Sequence, residues 1–145
     1  MAEKKPQVLA NHARLDPLYH FIALPVFGLG AIAGMVHFIW HPSAHSAAFF
    51  VVSVAAAIAV LKVRTYALKV QDRVIRLEER LRLASLLPEP LRARIPELTE
   101  GQLIAIRFAS DQEVAKLAER AISEKLSPAD IKKAIQTWRP DYWRV

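Results

Sequence analysis

The sequence contains no cysteine among its 145 residues. Disulfide bonds, thiolate metal sites and cysteine nucleophiles are therefore excluded. The sequence also has no glycine-rich phosphate loop, no nucleophile elbow of the serine hydrolases and no helical zinc motif of the metalloproteases. The acidic residues after residue 61 fit helix caps and ion pairs, which leaves no paired carboxylates for acid–base chemistry. These absences predict a protein that is not an enzyme and that holds no cofactor.

Charge is missing from one long stretch, because residues 18–61 contain no Lys, Arg, Asp or Glu. The turn His41-Pro42-Ser43 divides it into two apolar runs, residues 18–40 and 44–61. At about 1.5 Å per helical residue the runs measure roughly 34 Å and 27 Å, and the hydrocarbon core of a bilayer is about 30 Å thick. The sequence therefore predicts a two-helix transmembrane hairpin over residues 17–61, with Asp16 and Ser43 as helix caps and a kink at Pro25.

The net charge of +6 is unevenly distributed. Residues 62–97 carry +4, whereas residues 98–145 carry only +1. Basic residues flank both apolar runs and are missing from the turn, so the positive-inside rule predicts that both termini are cytosolic. A nucleic-acid-binding protein concentrates positive charge in its folded domain, so nucleic acid is not an expected partner and the lipid bilayer is.

The second apolar run continues without Gly or Pro to residue 87, which predicts that its helix extends into the cytosol over residues 62–87. Apolar residues recur there with heptad spacing, and we call this stripe the heptad seam. Its members are Val63, Ala67, Val70, Val74, Leu77, Leu81 and Ala84. Such a stripe is covered by a partner helix or by the chain's own C-terminal domain, and the sequence leaves both open. Asp72/Arg76 and Glu78/Arg82 are predicted as ion pairs four residues apart.

Pro88 ends the long helix, and residues 88–145 are predicted to form a small cytosolic helical domain with an aromatic tail. Capping signals at Thr99, Ser110 and Ser127 predict three short helices, the first two over residues 103–109 and 114–123. The predicted core comprises Ile104, Ile106, Phe108, Val114, Leu117, Ala118, Ile122, Leu126, Ile131, Ile135 and Trp138. So small a domain has little stability alone, so we expect it to pack against the long helix, the membrane surface or a partner.

Two further features have a structural and an interaction interpretation. Gly30 and Gly34 allow close helix packing in membranes, either within the hairpin or between two copies of the chain. The tail residues Trp138, Arg139, Tyr142 and Trp143 are candidate anchors for a partner, although large aromatic side chains also close a small core.

Three histidines lie at the outer end of the predicted hairpin, namely His37, His41 and His45. On an unbroken helix this spacing would place them on one face, where they could bind a metal ion or a haem. Pro42 interrupts the helix, and no carboxylate lies nearby to orient the rings. The histidines are therefore weak candidates for a metal site, and interfacial histidines at a turn are the favoured explanation of the pattern.

Four stretches of the sequence resemble one bacterial family of small two-span membrane proteins. They are Asn11-His12-x-Arg14-x-Asp16-Pro17-Leu18-Tyr19-His20, residues 66–82, Leu98-Thr99-x-Gly101-Gln102-Leu103-Ile104-Ala105-x-Arg107-Phe108-Ala109-Ser110, and Trp138-Arg139-Pro140-Asp141-Tyr142. The family is a domain of unknown function that is sometimes labelled an ABC transporter permease. The resemblance implies a bacterial inner-membrane protein and brings no activity with it. The permease label implies more helices than this chain has.

The sequence as a whole predicts an all-α protein with a cytosolic N-terminal tail over residues 1–16, a transmembrane hairpin, a cytosolic helical extension and a small three-helix domain. The predicted function is that of a non-enzymatic scaffold, accessory or regulatory subunit that binds another membrane protein or a second copy of itself. A haem or metal carrier that uses the three outer histidines, and an accessory subunit of a transport complex, are the alternatives.

Overall fold

The computed structural model describes residues 6–12 and 15–141, and the regular structure of these residues is entirely helical. The chain divides into two compact units. One is Leu15–Lys69, and the other joins the N-terminal segment to the residues from Val70 onward. The predicted all-α class is therefore confirmed for the described residues.

The first unit begins at a capped helix start. The carboxylate of Asp16 accepts a hydrogen bond from the backbone N–H of Tyr19 at 3.2 Å. A π-helical turn, Tyr19–Ala23, precedes helix α1, Leu24–Trp40. In this turn the N–H of Leu24 donates to the carbonyl of Tyr19, five residues back. A π turn accommodates irregular hydrogen bonding, and it lies directly before Pro25, which has no N–H to donate.

The chain turns at residues 41–43 and enters helix α2, Ala44–Leu86. The hydroxyl of Ser43 accepts a hydrogen bond from the N–H of Ser46 at 3.1 Å, as its predicted capping role requires. The helices run antiparallel. Arg64 lies 5.7 Å from the ring centre of Tyr19 at one end of the pair, and the rings of Phe38 and Phe50 stack 6.2 Å apart toward the other end. Both helices are long and apolar enough to cross a membrane, and only 6% of each apolar window is buried.

The second unit contains four short helices after α2. A 3₁₀ helix, Arg92–Glu97, was not predicted. It is followed by α3, Glu100–Ile106, α4, Val114–Ser123, and α5, Pro128–Ala134. The bounds predicted for α4 are correct. The end predicted for α3 was wrong by three residues, because Ala109 leaves the helix to form an antiparallel bridge with Trp138.

The core of this unit includes part of α2. Leu83 and Leu87 are buried together with Leu103, Ile106 and Phe108. The predicted core residues are all buried or half-buried. The long helix thus supplies side chains that a domain of this size needs in order to bury a sufficient apolar area.

Two of the three predicted caps of the short helices form. Thr99 and Gln102 make a reciprocal capping box, and the buried Gln102 amide also donates to the carbonyls of Ala121 and Leu126. The hydroxyl of Ser127 accepts from the N–H of Asp130. That hydroxyl also hydrogen-bonds to the Asp130 carboxylate at 2.6 Å, which together with Lys133 lowers the carboxyl pKa below its usual value.

The third cap, at Ser110, forms only in part, because no side-chain cap is present at the start of α4. The carboxylate of Glu113 accepts from the N–H of Ser110 at 3.3 Å, as a capping box requires. The same carboxylate accepts from the backbone N–H groups of Gln136 and Thr137, both at 3.1 Å. Glu113 therefore connects the start of α4 to the segment that follows α5.

Candidate interaction surface and buried ionic cluster

Helix α2 has two different faces over residues 70–86. One face is covered by the rest of its unit, and Ile75, Glu79 and Leu83 are between 0% and 6% exposed. The other face carries the heptad seam. Its side chains Val70, Val74, Leu77 and Leu81 are 61%, 49%, 60% and 65% exposed. These two faces follow from heptad geometry, because positions b, c and f of a helix lie opposite positions a and d.

The exposure of the heptad seam decides between its two interpretations for the described residues. Ala84 is exposed as well, whereas Val63 and Ala67 belong to the first unit. For seam residues 70–84, which share a unit with the C-terminal domain, the hypothesis that this domain covers the seam is therefore wrong, because the domain packs on the opposite face of α2. A seam in which large apolar side chains stay exposed indicates an interaction surface.

A buried ionic cluster lies on the covered face of α2. The carboxylate of Glu79, which is 4% exposed, accepts hydrogen bonds from Arg82 at 2.9 Å and from Arg139 at 3.2 Å. Arg82 also donates to Asp111 at 2.6 Å and to the carbonyl of Ala109 at 2.7 Å. A buried carboxylate is costly unless it is paired and hydrogen-bonded, and Glu79 has both kinds of partner.

A further ion pair continues this cluster. The guanidinium of Arg107, which is 5% exposed, lies 3.3 Å from the carboxylate of Asp141. The backbone of Asp141 is in turn held by the amide of Gln7, which donates to its carbonyl at 3.0 Å and accepts from its N–H at 2.6 Å. The cluster lines a cavity of about 370 Å³ and joins the N-terminal segment, α2 and the C-terminal strand-like segment.

The ion pairs predicted within α2 were wrong. Arg76 forms an ion pair with Glu100 of α3, and within α2 it donates to the backbone carbonyl of residue 72 instead of to its carboxylate. Arg82 turns toward the cluster described above. Long arginine side chains reach several acidic residues. A rule that pairs residues four apart in one helix cannot predict partners on neighbouring elements.

The described part of the aromatic tail packs inside the second unit. The ring of Trp138 lies 5.0 Å from that of Phe108 and 5.9 Å from that of His12. Arg139 binds Glu79, as noted above, and its side chain is half exposed. These contacts match the interpretation in which Trp138 closes the small core. Tyr142 and Trp143 lie outside the described residues.

The outer histidines are only partly brought together. The rings of His37 and His41 lie 5.2 Å apart, and all three histidines are exposed. Across residues 6–12 and 15–141 there is no group of three or more His, Cys, Asp or Glu residues that could hold a metal ion.

The two glycines of α1 have different surroundings. Gly34 is buried, and a Cβ atom added there would lie 3.3 Å from the Cα of Phe50. A Cβ atom added at Gly30 would have no neighbour within 4 Å. Gly34 therefore permits close packing of α1 on α2 within the chain, whereas Gly30 lies at an open surface.

The architecture defines a class: an all-helical protein with two helices that are apolar enough to span a membrane, followed by a compact helical unit. The chain belongs to a family of unknown function, DUF6526, whose model matches residues 1–145. This match confirms the resemblance seen in the sequence. Neither a comparison with curated proteins nor one with solved structures found a match.

Proposed function

We propose that the protein is a non-enzymatic scaffold, accessory or regulatory subunit of the bacterial inner membrane. Its two apolar helices anchor it in the bilayer, and the heptad seam together with the C-terminal helices binds a partner. The observation that carries this proposal is the exposure of the seam from Val70 to Leu81, on a helix whose opposite face buries Ile75, Glu79 and Leu83.

Energetics support an interaction role for the seam. Burial of a Val or Leu side chain is worth about 1.5–3 kcal/mol, and four such side chains remain about half or more exposed between residues 70 and 81. A partner helix that covers them would recover this free energy, less the cost of association. The opposite face cannot serve the same purpose, because its apolar side chains Ile75 and Leu83 are already buried.

The proposed orientation places both termini in the cytosol and the turn at residues 41–43 outside. It is supported by the basic residues beyond both apolar runs and by their absence from the turn. A reporter enzyme that is active only outside the cytosol should be active when it is fused directly after Ser43. A cytosolic reporter at this position would contradict the orientation.

The partner-binding proposal is tested by a seam variant in which Val70, Val74, Leu77 and Leu81 are all replaced by Ser. Purification of a tagged copy in mild detergent should then lose the proteins that accompany the wild type at near-equal amounts, because the apolar contact surface is gone. Membrane insertion should not change, since residues 18–61 are intact.

A control variant carries Ser at Thr65, Lys69 and Leu86, three exposed positions of α2 outside the seam. It introduces a similar number of serines into the helix, and it should retain every stoichiometric partner. If the seam variant kept the same partners as this control, the seam would not be the binding surface.

A further inference from the structure

The charges that flank the heptad seam indicate which partner it binds. In standard lettering Val74 and Leu81 occupy a positions, and Val70 and Leu77 occupy d positions. The charged residues at the flanking g and e positions are then Arg73, Glu78 and Arg80, all three of which are exposed, and the remaining e positions hold the uncharged Gln71 and Ser85. In a coiled coil the g and e side chains decide the orientation and the choice of partner.

We propose that the occupant of the seam is a second copy of this chain, paired with it as a parallel, in-register coiled coil. This inference rests on the proposed function and names its partner. In a parallel pair, a g residue faces the e residue of the following heptad in the other helix. Arg73 of each copy therefore faces Glu78 of the other, which places two symmetry-related opposite-charge pairs beside Val74 and Leu77.

The antiparallel arrangement is disfavoured by the same residues. In that arrangement g positions face g positions, so that Arg73 and Arg80 of one copy would lie against the same arginines of the other. Opposing like charges destabilise the pair.

The membrane anchor provides an independent argument for the parallel pairing. In copies inserted in the same direction, residue 62 lies at the same depth in the bilayer. Their seams therefore run parallel and start in register. Confinement by the anchor also raises the effective concentration of one seam near another. A C2 dimer of this kind uses the same surface on both copies, which a symmetric apolar stripe permits.

The chain's lack of cysteine makes a direct test possible, because a single introduced cysteine is the only thiol. Full-length variants with one cysteine at residue 70, 74, 77 or 81 are oxidised in native membranes. The fraction of disulfide-linked dimer is then measured by non-reducing gel electrophoresis. Matched controls carry the cysteine at Lys69 or Leu86, which are exposed positions on the other side of α2. The cross-linked fraction should be high at the seam positions and several-fold lower at the controls, because only a and d side chains face the same residues of the other copy.

A charge exchange tests the pairing of Arg73 with Glu78 in the Leu77→Cys background. Arg73→Glu and Glu78→Arg should each lower the cross-linked fraction several-fold, because each places like charges opposite one another. The combination of both substitutions in one chain should restore it. Co-expression of the two single variants should yield mainly the mixed dimer, which is a result that general loss of folding could not produce.

The outcomes separate this inference from the proposed function. Equal cross-linking at seam and control positions, or no dimer at any seam position although the thiols react with maleimide after detergent extraction, would overturn self-association. In the second case, seam thiols that stay protected from maleimide in the membrane would identify a different partner and preserve the proposed function. Seam thiols that are fully reactive in the membrane would contradict both.

Discussion

Single charged residues decide how the second unit is held together. Glu79 is buried on α2 and binds two arginines, one from its own helix and one from the C-terminal segment. Sequence spacing pointed to Glu78 as the partner of Arg82, whereas the structure uses the adjacent acid. Glu78 and Glu79 are identical, adjacent residues of α2. Only the packing of the C-terminal segment makes Glu79 the buried one.

Replacement of Glu79 by Gln should destabilise the second unit by about 1–3 kcal/mol, because Arg82 and Arg139 lose a charged acceptor in a buried site. Denaturant unfolding of the purified chain in micelles, followed by circular dichroism, measures this change. Glu89→Gln serves as the control, since Glu89 is exposed and its ion pair with Arg92 spans 3.8 Å. The control should stay within about 0.5 kcal/mol of the wild type. Equal losses in both variants would contradict a special role for the buried carboxylate.

Individual helices were predictable where local chemistry fixes their ends. Pro88, the capping box at Thr99 and the Ser127 cap all act on the residues beside them, so the ends of α2 and the starts of α3 and α5 were recognisable. The 3₁₀ helix at Arg92–Glu97 carries no comparable start signal. The bridge of Ala109 with Trp138 joins residues far apart in the chain, which no local rule detects.

The candidate interaction surface was predictable only as a pattern. Heptad spacing predicted an apolar stripe on α2, but it could not say which face of α2 the C-terminal helices would cover. Both faces are apolar, since Ile75 and Leu83 oppose Val74 and Leu77. Tertiary packing decides the matter by burying the face that also carries Glu79, and this left the heptad seam exposed.

The α1 glycines give a prediction about helix packing within the chain. Gly34→Leu should lower the stability of the helix pair by about 1–3 kcal/mol, because a side chain there meets the backbone of Phe50. Gly30→Leu should have little effect on the same thermal unfolding measurement in micelles, since no atom lies near its Cβ position. Should Gly30→Leu prove the damaging change and Gly34→Leu the neutral one, the close packing would have to lie elsewhere, for example between copies.

The whole molecule combines two helices that are apolar enough to span a membrane with an exposed apolar stripe on α2. The family match covers the entire chain, so the two apolar helices, the seam and the C-terminal helices all lie within the region that the family model matches. The proposed scaffold function requires the seam to be covered when the protein is at work in its membrane. The seam must be covered whether its occupant is a second copy or another protein.

The most direct test is thiol labelling of Leu77→Cys in native membranes, with Leu86→Cys as the reference. In the isolated chain these side chains are 60% and 39% exposed, so an uncovered seam would react with a maleimide at least as fast as the reference. We expect residue 77 to be protected in the membrane and to become reactive once detergent and denaturant separate the subunits. Equal labelling of both positions in the membrane would contradict it.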